Sequence, residues 1–188
     1  MIENTALPDV VVMTPRRFAD SRGSFQETYN RDTLTKLGID TDFVQDNQSW
    51  SRETGTVRGL HYQAPPRAQA KLVRVLVGKI FDVAVDVRRG SPTYGQWTGV
   101  TLSADNNAQL LIPAGFLHGF VTRAPDTLVA YKCSNTYAPD CEGSVRFDDP
   151  ELGIDWGIPT SQAVLSDKDA KAPGFAAFET PFAWQGQS

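Results

Sequence analysis

Histidine is nearly missing from this chain: two occur in 188 residues. Cysteine is equally scarce, represented by Cys133 and Cys141 alone. These shortages exclude several kinds of chemistry. A zinc site wants three or four protein ligands, and neither an H-x-H nor an H-E-x-x-H spacing is present. No metal and no other cofactor is therefore expected. The cysteine spacing matches neither a C-x-x-C redox motif nor a zinc knuckle, and two cysteines are too few for a disulfide scaffold. A reduced, cytoplasmic setting is the simplest account. No run approaches the roughly 20 apolar residues of a membrane helix. The amino terminus, with Glu3, Asn4, Pro8 and Asp9, does not read as a signal peptide. Positive charge is also short. A formal net charge of -4 argues against nucleic acid or an anionic membrane as a partner. An anionic ligand would have to be held by a few local arginines and lysines.

What remains is an ordinary globular composition, 40% hydrophobic and 21% charged, read as a single domain over residues 1–188. Strand patterning dominates. Val73, Val75 and Val77 alternate with Leu72, Arg74 and Leu76; after Gly78-Lys79, Phe81, Val83, Val85 and Val87 alternate with Ile80, Asp82, Ala84 and Asp86. This period of two predicts two strands joined by a tight hairpin at Gly78-Lys79. Further strands are predicted over 97–102, 109–112, 120–122 and 127–132. Turn signals recur about every 8–12 residues, which points to an all-β sandwich or barrel with its core over residues 44–137. Helix is scarce. Asp32-Thr33 is expected to cap a short helix ending at Gly38, and Ser166 to Asp169 to start another. The tail after Pro173 reads as irregular and partly exposed.

Both histidines sit in settings that are hard to explain as packing: His61 in R-G-L-H-Y-Q and His118 in I-P-A-G-F-L-H-G-F. Histidine is the usual proton carrier near neutral pH. Strand alternation puts Lys71 on the face of Val73 and Val75, where a lysine is costly unless it has a function; the alternative is a frayed strand end that snorkels outward. Tyr131 shares a face with Val129 and Cys133, either as core packing or as a proton donor into a cavity. Asp86 is expected on a solvated outer face. Asp82 admits an inward turn toward a histidine. Arg22 and Arg58 each neighbour a glycine, Gly23 and Gly59, an arrangement suited to forking phosphate oxygens beside close backbone.

Nine fragments then accumulate in order: F-A-D-S-R-G-S-F-Q-E-T-Y-N from Phe18, Q-D-N-Q-S from Gln45, R-G-L-H-Y-Q from Arg58, Q-A-K-L-V-R-V from Gln69, F-D-V-A-V-D-V-R from Phe81, S-P-T-Y-G from Ser91, I-P-A-G-F-L-H-G-F from Ile112, Y-K-C-S-N-T-Y-A-P from Tyr131 and L-S-D-K-D from Leu165. Together they resemble the dTDP-4-dehydrorhamnose 3,5-epimerases over about residues 5–173. Pro113, Gly115 and His118 also match the P-x-G-x-x-H of a second cupin motif. Departures from the family pattern fall at Leu111, Leu117 and Trp156-Gly157, none of them a proposed proton carrier.

The resemblance implies a cupin-type jelly roll, a double-stranded β-helix sandwich with short peripheral helices. It implies a homodimer whose amino-terminal segment crosses to the partner's site, and a nucleotide-sugar substrate, dTDP-4-dehydro-6-deoxyglucose. By the same resemblance His61 matches the catalytic base, Asp169 its orienting carboxylate, Tyr131 the general acid and Lys71 the cation that meets the enolate oxygen. Arg22, Glu27, Gln45, Asn47, Arg58, His118 and Tyr137 match positions lining the nucleotide-sugar site. The chemistry agrees. A ketone at carbon 4 acidifies the hydrogens on carbons 3 and 5, a base removes them, a fixed cation stabilises the enolate, and an acid on the opposite face completes inversion. Two alternatives stand beside this reading: an epimerase acting at carbon 3 alone, and a non-catalytic sugar-binding cupin. A metal-dependent cupin enzyme ranks last, because the first-motif histidine pair is missing.

Overall fold

The computed structural model describes residues 1–186; the last two residues of the expected 1–188 domain lie outside them. Strands β1 (Ile2–Asn4), β2 (Val11–Met13), β3 (Arg17–Asp20) and β4 (Gly23–Gln26) precede helix α1 (Arg31–Lys36). Then come β5 (Gln45–Ser51), β6 (Val57–Gln63), β7 (Lys71–Val77), β8 (Lys79–Asp86), β9 (Trp97–Ser103), β10 (Gln109–Ile112), β11 (Phe116–Thr122), β12 (Thr127–Cys133) and β13 (Glu142–Ser144), with helix α2 (Asp167–Ala170) near the end. Two antiparallel sheets face each other. One has the order β1-β2-β10-β7-β12-β5, the other β13-β6-β11-β8-β9. This is the sandwich expected of a cupin. The sheets extend beyond residues 44–137 at both ends, because β1, β2 and β13 are too short for alternation to register.

The Gly78-Lys79 hairpin is not formed. β7 pairs with β10 and β12, whereas β8 pairs with β11 and β9. The turn carries the chain from one sheet to the other, and two alternating runs in sequence cannot distinguish a corner from a hairpin. Helix α1 starts two residues earlier than an Asp32 cap would place it: Asn30 is the cap, its side chain accepting the Thr33 N–H. Ser166 does cap α2.

The sandwich interior is filled from both sheets by Val73, Val75, Ile80, Ala84, Leu110, Ile112, Phe116, Phe120 and Val129. A second core lies on the outer face of the five-stranded sheet, where Val83, Val85, Leu117 and Val121 meet Phe147, Trp156, Phe175 and Phe182. The tail after Pro173 is thus irregular but not loose. It covers this face, tied by Arg89 N–H to Phe182 O at 3.0 Å and Phe175 N–H to Asp149 at 2.8 Å. Leu117 and Trp156 belong to this second layer, so the departure at Leu117 alters packing behind the sheet, whereas Gly157 is exposed beside it.

With both faces of β8 covered, Asp86 is fully buried, contrary to the solvated position expected of it. It accepts three bonds from Arg88 (two from the guanidinium at 3.0 and 2.7 Å, one from the backbone N–H at 2.9 Å), one from Ser91 (2.6 Å) and one from Thr93 (2.7 Å). Burial would raise its carboxyl, but these donors outweigh burial and hold it below the ordinary value. Arg88 also binds Asp9 at 2.6 Å. The network therefore ties the amino-terminal segment to the sandwich.

Candidate active site

Strand register decides which side chains share the space between the sheets. On the six-stranded sheet Lys71 stands opposite Cys133, which stands opposite Gln45; two residues further along, Tyr131 stands between Asn47 and Val73. Side chains at paired positions share a face, so Lys71, Tyr131, Gln45 and Asn47 belong to the face of buried Val73. On the five-stranded sheet His61 of β6 is paired with His118 of β11. Two glycines let these strands close on each other. A Cβ on Gly59, whose φ is +128°, would stand 2.5 Å from the Gly119 Cα, a distance no side chain tolerates. Gly59 therefore serves strand contact, not the ligand approach its place beside Arg58 suggested. Gly23 likewise turns the β3–β4 hairpin at φ +135°.

The resulting cleft has a volume of about 410 Å³ and is lined by His61, Lys71, Tyr131, Gln45, Asn47, Tyr137 and Glu142, among others. A second depression, about 510 Å³, shares Asn47, Gln48 and Tyr131 with it but holds neither His61 nor Lys71. The titratable groups converge in the first.

His61 is bonded to Asp169, Nε2 to Oδ1 at 2.6 Å. The carboxylate is 5% exposed and the histidine 28%. The short helix α2 fixes the partner: the Ser166 hydroxyl accepts the Asp169 N–H at 3.1 Å, which points the Asp169 side chain back toward β6. Burial opposes the charged carboxylate, but His61, Ser166 and the Gly59 N–H together hold it below its ordinary value. A charged Asp169 accepting from one ring nitrogen leaves the other with its lone pair.

His118 is buried and bonded to Asp82, Nε2 to Oδ1 at 2.7 Å. Burial is the larger influence and depresses its pKa despite that carboxylate, so the ring stays neutral at physiological pH. Burial pushes the Tyr131 phenol up, helped by Cys133 and opposed by Asn47 and Arg58. It remains a protonated donor throughout the neutral range. Burial lowers Lys71, against the pull of Cys133, Asp82 and Glu142.

Polar contacts tie the cleft mouth together. Gln45 donates to Asn47 Oδ1 at 3.0 Å and accepts the Tyr137 N–H at 2.8 Å. Tyr137 in turn donates its hydroxyl to Glu142 at 3.0 Å. Glu142 also binds Lys168 at 2.6 Å. Neither Glu142 nor Lys168 stood out in the sequence, since a lone charge in an element as short as β13 or α2 carries no periodic signal. Arg58 bonds to Ser51 Oγ and Trp50 O at 3.2 and 3.0 Å. Arg22 and Glu27 are not brought to the cleft. Arg22 is 88% exposed at the hairpin tip and paired with Asp20 at 2.7 Å; Glu27 accepts from Asn30 on the surface.

An open cleft between two cupin-type sheets, with an acceptor histidine on one wall and a lysine and phenol on the other, defines an isomerase that moves protons at carbon. The family model for dTDP-4-dehydrorhamnose 3,5-epimerase matches residues 4–177. An enzyme of that name from Salmonella typhimurium is 51% identical over 175 residues, 92% of this chain and 94% of its own. A Legionella pneumophila dTDP-6-deoxy-D-glucose-3,5-epimerase, solved with dTDP-4-keto-L-rhamnose, superposes with a TM-score of 0.94 at 43% identity, covering 99% of each chain. A Streptomyces bikiniensis 3′-monoepimerase, solved with dTDP-quinovose, superposes at 0.84 with 34% identity, covering 92% of this chain and 87% of that one. The chain belongs to the dTDP-4-dehydrorhamnose 3,5-epimerase family.

Proposed function

We infer that the protein inverts carbons 3 and 5 of dTDP-4-dehydro-6-deoxy-D-glucose, giving dTDP-4-dehydro-L-rhamnose. The observation that carries the reading is the division of labour between the two sheets. His61, backed by Asp169, comes from one, and Tyr131 and Lys71 come from the other. A sugar ring lying between them meets a base on one face and an acid on the other. His61 takes the proton from carbon 3 or 5, the Lys71 ammonium stabilises the oxygen of the enolate, and Tyr131 returns a proton to the opposite face. The positive charge comes from a side chain, so the reading requires no metal. Gln45, Asn47, Arg58 and Tyr137 position the nucleotide sugar.

Incubation with this substrate in deuterated water, followed by proton NMR, tests the reading. Deuterium should enter at both carbons with inversion at both. Entry at carbon 3 alone would replace it with the one-centre chemistry for which the Streptomyces bikiniensis 3′-monoepimerase is named.

The dimer belongs to the same proposal. Within one chain the β3–β4 hairpin carries Phe18 at 51% and Phe25 at 70% exposure beside the exposed Arg22. Seating this hairpin on a second copy would cover both rings and carry Arg22 and Glu27 to the partner's cleft, where Arg22 would share the diphosphate with Arg58. Mixing Arg22→Ala and His61→Ala subunits should then restore activity, since one hybrid site has both residues intact. Verified heterodimers without recovery would refute the crossing. A cytoplasmic setting agrees with Cys133 and Cys141 being free thiols.

A further inference from the structure

Behind His61, one aromatic cluster joins the end of the chain to the rim of the cleft. Tyr62 follows His61 on β6, so its side chain leaves the opposite face of the strand. Its ring meets Phe178 at 5.4 Å between centroids, with the planes at 71°, and Phe182 at 5.9 Å and 76°. Both contacts are edge-to-face, an arrangement that aromatic pairs prefer. The tail that carries these rings is pinned just past the end of β8. Phe182 O accepts the Arg89 N–H and Arg89 O accepts the Trp184 N–H, each at 3.0 Å, and the Thr180 hydroxyl donates to Val87 O. The family match ends at residue 177, so Phe178 and Phe182 lie beyond it.

The same ring covers a glycine. β13 pairs with β6 so that Gly143 stands across from Tyr62, with Glu142 beside Gln63 and Ser144 beside His61. A Cβ on Gly143 would overlap the Tyr62 ring, so the ring fills the place that a β13 side chain would take. β13 needs such support. It has three residues and lies at a sheet edge, paired on one side only, and a glycine inside a strand weakens it. A cross-strand ring laid over an edge glycine compensates. What β13 carries is Glu142, which accepts the Tyr137 hydroxyl at 3.0 Å. Tyr137 is 57% exposed, so that bond and the one from its N–H to Gln45 set its place. We propose that Tyr62 is a positioning residue for the mouth of the cleft: braced by Phe178 and Phe182, its ring seats β13 and thereby holds Glu142 and Tyr137 over the site. The ring does this, and the hydroxyl is not needed. The proposal rests on Tyr137 positioning the nucleotide sugar, as inferred above. Tyr62 also reaches the lip of the cleft, so its test must separate ring from hydroxyl.

Tyr62→Ala and Tyr62→Phe make that separation in the full-length protein. Amide hydrogen exchange reads the seating. In Tyr62→Ala the β13 amides should exchange about tenfold faster relative to those of β11, the size expected when two edge-to-face contacts are lost. In Tyr62→Phe they should keep their wild-type rates. Unchanged relative rates in a folded Tyr62→Ala, or a uniform rise across both strands, overturn the proposal. Titration with dTDP reads the consequence. Tyr62→Ala should bind dTDP about tenfold more weakly and raise KM to match, with kcat within about twofold of wild type, since His61, Lys71 and Tyr131 are held by other contacts. A Tyr62→Phe variant that loses as much affinity as Tyr62→Ala would make the hydroxyl a direct contact and overturn the positioning role. Faster β13 exchange with unchanged dTDP affinity would instead overturn the nucleotide role of Tyr137 and leave the seating standing. If Tyr62→Ala does not fold, Phe178→Ala takes its place, because Phe178 is only half-buried and its loss removes one of the two braces. The β13 amides should then exchange about threefold faster relative to β11, and equal relative rates overturn the idea.

Discussion

His61→Ala should lower turnover by about three orders of magnitude and abolish deuterium entry at carbon 3 and carbon 5 together, since a positioned base contributes roughly that much. The argument is one of supply. Only two imidazoles exist in the chain. His118 is buried, with one nitrogen committed to Asp82 at 2.7 Å, and it is absent from the residues lining the cleft. His61 lines the cleft and is backed by Asp169 at 2.6 Å. With only one such base, both centres must use it in turn, so losing it must silence both. The fold should survive, because the His61 side chain is 28% exposed and Asp169 keeps its contacts with Ser166 and the Gly59 N–H. Asp169→Ala should follow with a smaller loss, because that carboxylate acts through His61. The measurement is the exchange rate of each carbon-bound hydrogen in a variant whose circular dichroism matches wild type. Exchange at either carbon within tenfold of the wild-type rate would remove His61 from the role.

The same residues show what could be read before the fold was known. The β class followed from the valine alternation in Leu72–Val87, and an inward Lys71 was one of the two readings open from its register with Val73 and Val75, the other being a frayed strand end. Both depend on local period, which a sequence displays directly. The corner at Gly78, the buried Asp86 and the covering tail do not. Each depends on what a distant segment lays over a strand: β9 and β11 beside β8, and Phe175 and Phe182 behind it. A strand buried on both faces loses its polar side, and an aspartate there looks like a surface residue until Arg88, Ser91 and Thr93 are seen around it. The cleft was legible for a different reason. His61, Lys71, Tyr131 and Asp169 were named through motifs, which report chemistry without reporting position. Glu142 lies outside the nine fragments, and in L-S-D-K-D the family match carries a role for Asp169 and none for Lys168. Arg22 and Glu27 were named as well, yet one chain leaves them on an exposed hairpin. A motif carries no information on which subunit's cleft its residues would serve.

Removal of one hydroxyl should separate exchange from inversion. Tyr131→Phe keeps the ring that packs against the interior cluster and deletes the phenolic donor, so stability should change little. His61, on the other sheet, can still take the proton, and Lys71 can still stabilise the enolate. What the variant lacks is a proton source on the far face. Burial holds the Tyr131 phenol above its ordinary pKa, so in the intact protein it is always loaded and has a proton to give. Without it, the enolate is reprotonated mainly by His61, from the face it left. Deuterium should therefore enter carbon 3 and carbon 5 while the configuration at both is largely retained, with epimerised product falling by about two orders of magnitude, the lower range for a lost general acid. The ratio of exchanged substrate to inverted product, read by NMR in deuterated water, separates the outcomes. A variant that inverts as often as it exchanges would assign the second proton to another donor, with water in the cleft as the first to test. A variant that neither exchanges nor inverts, yet binds dTDP as wild type does, would place the hydroxyl in the abstraction step itself. It would then act beside Lys71 on the enolate oxygen and not on the far face of the ring.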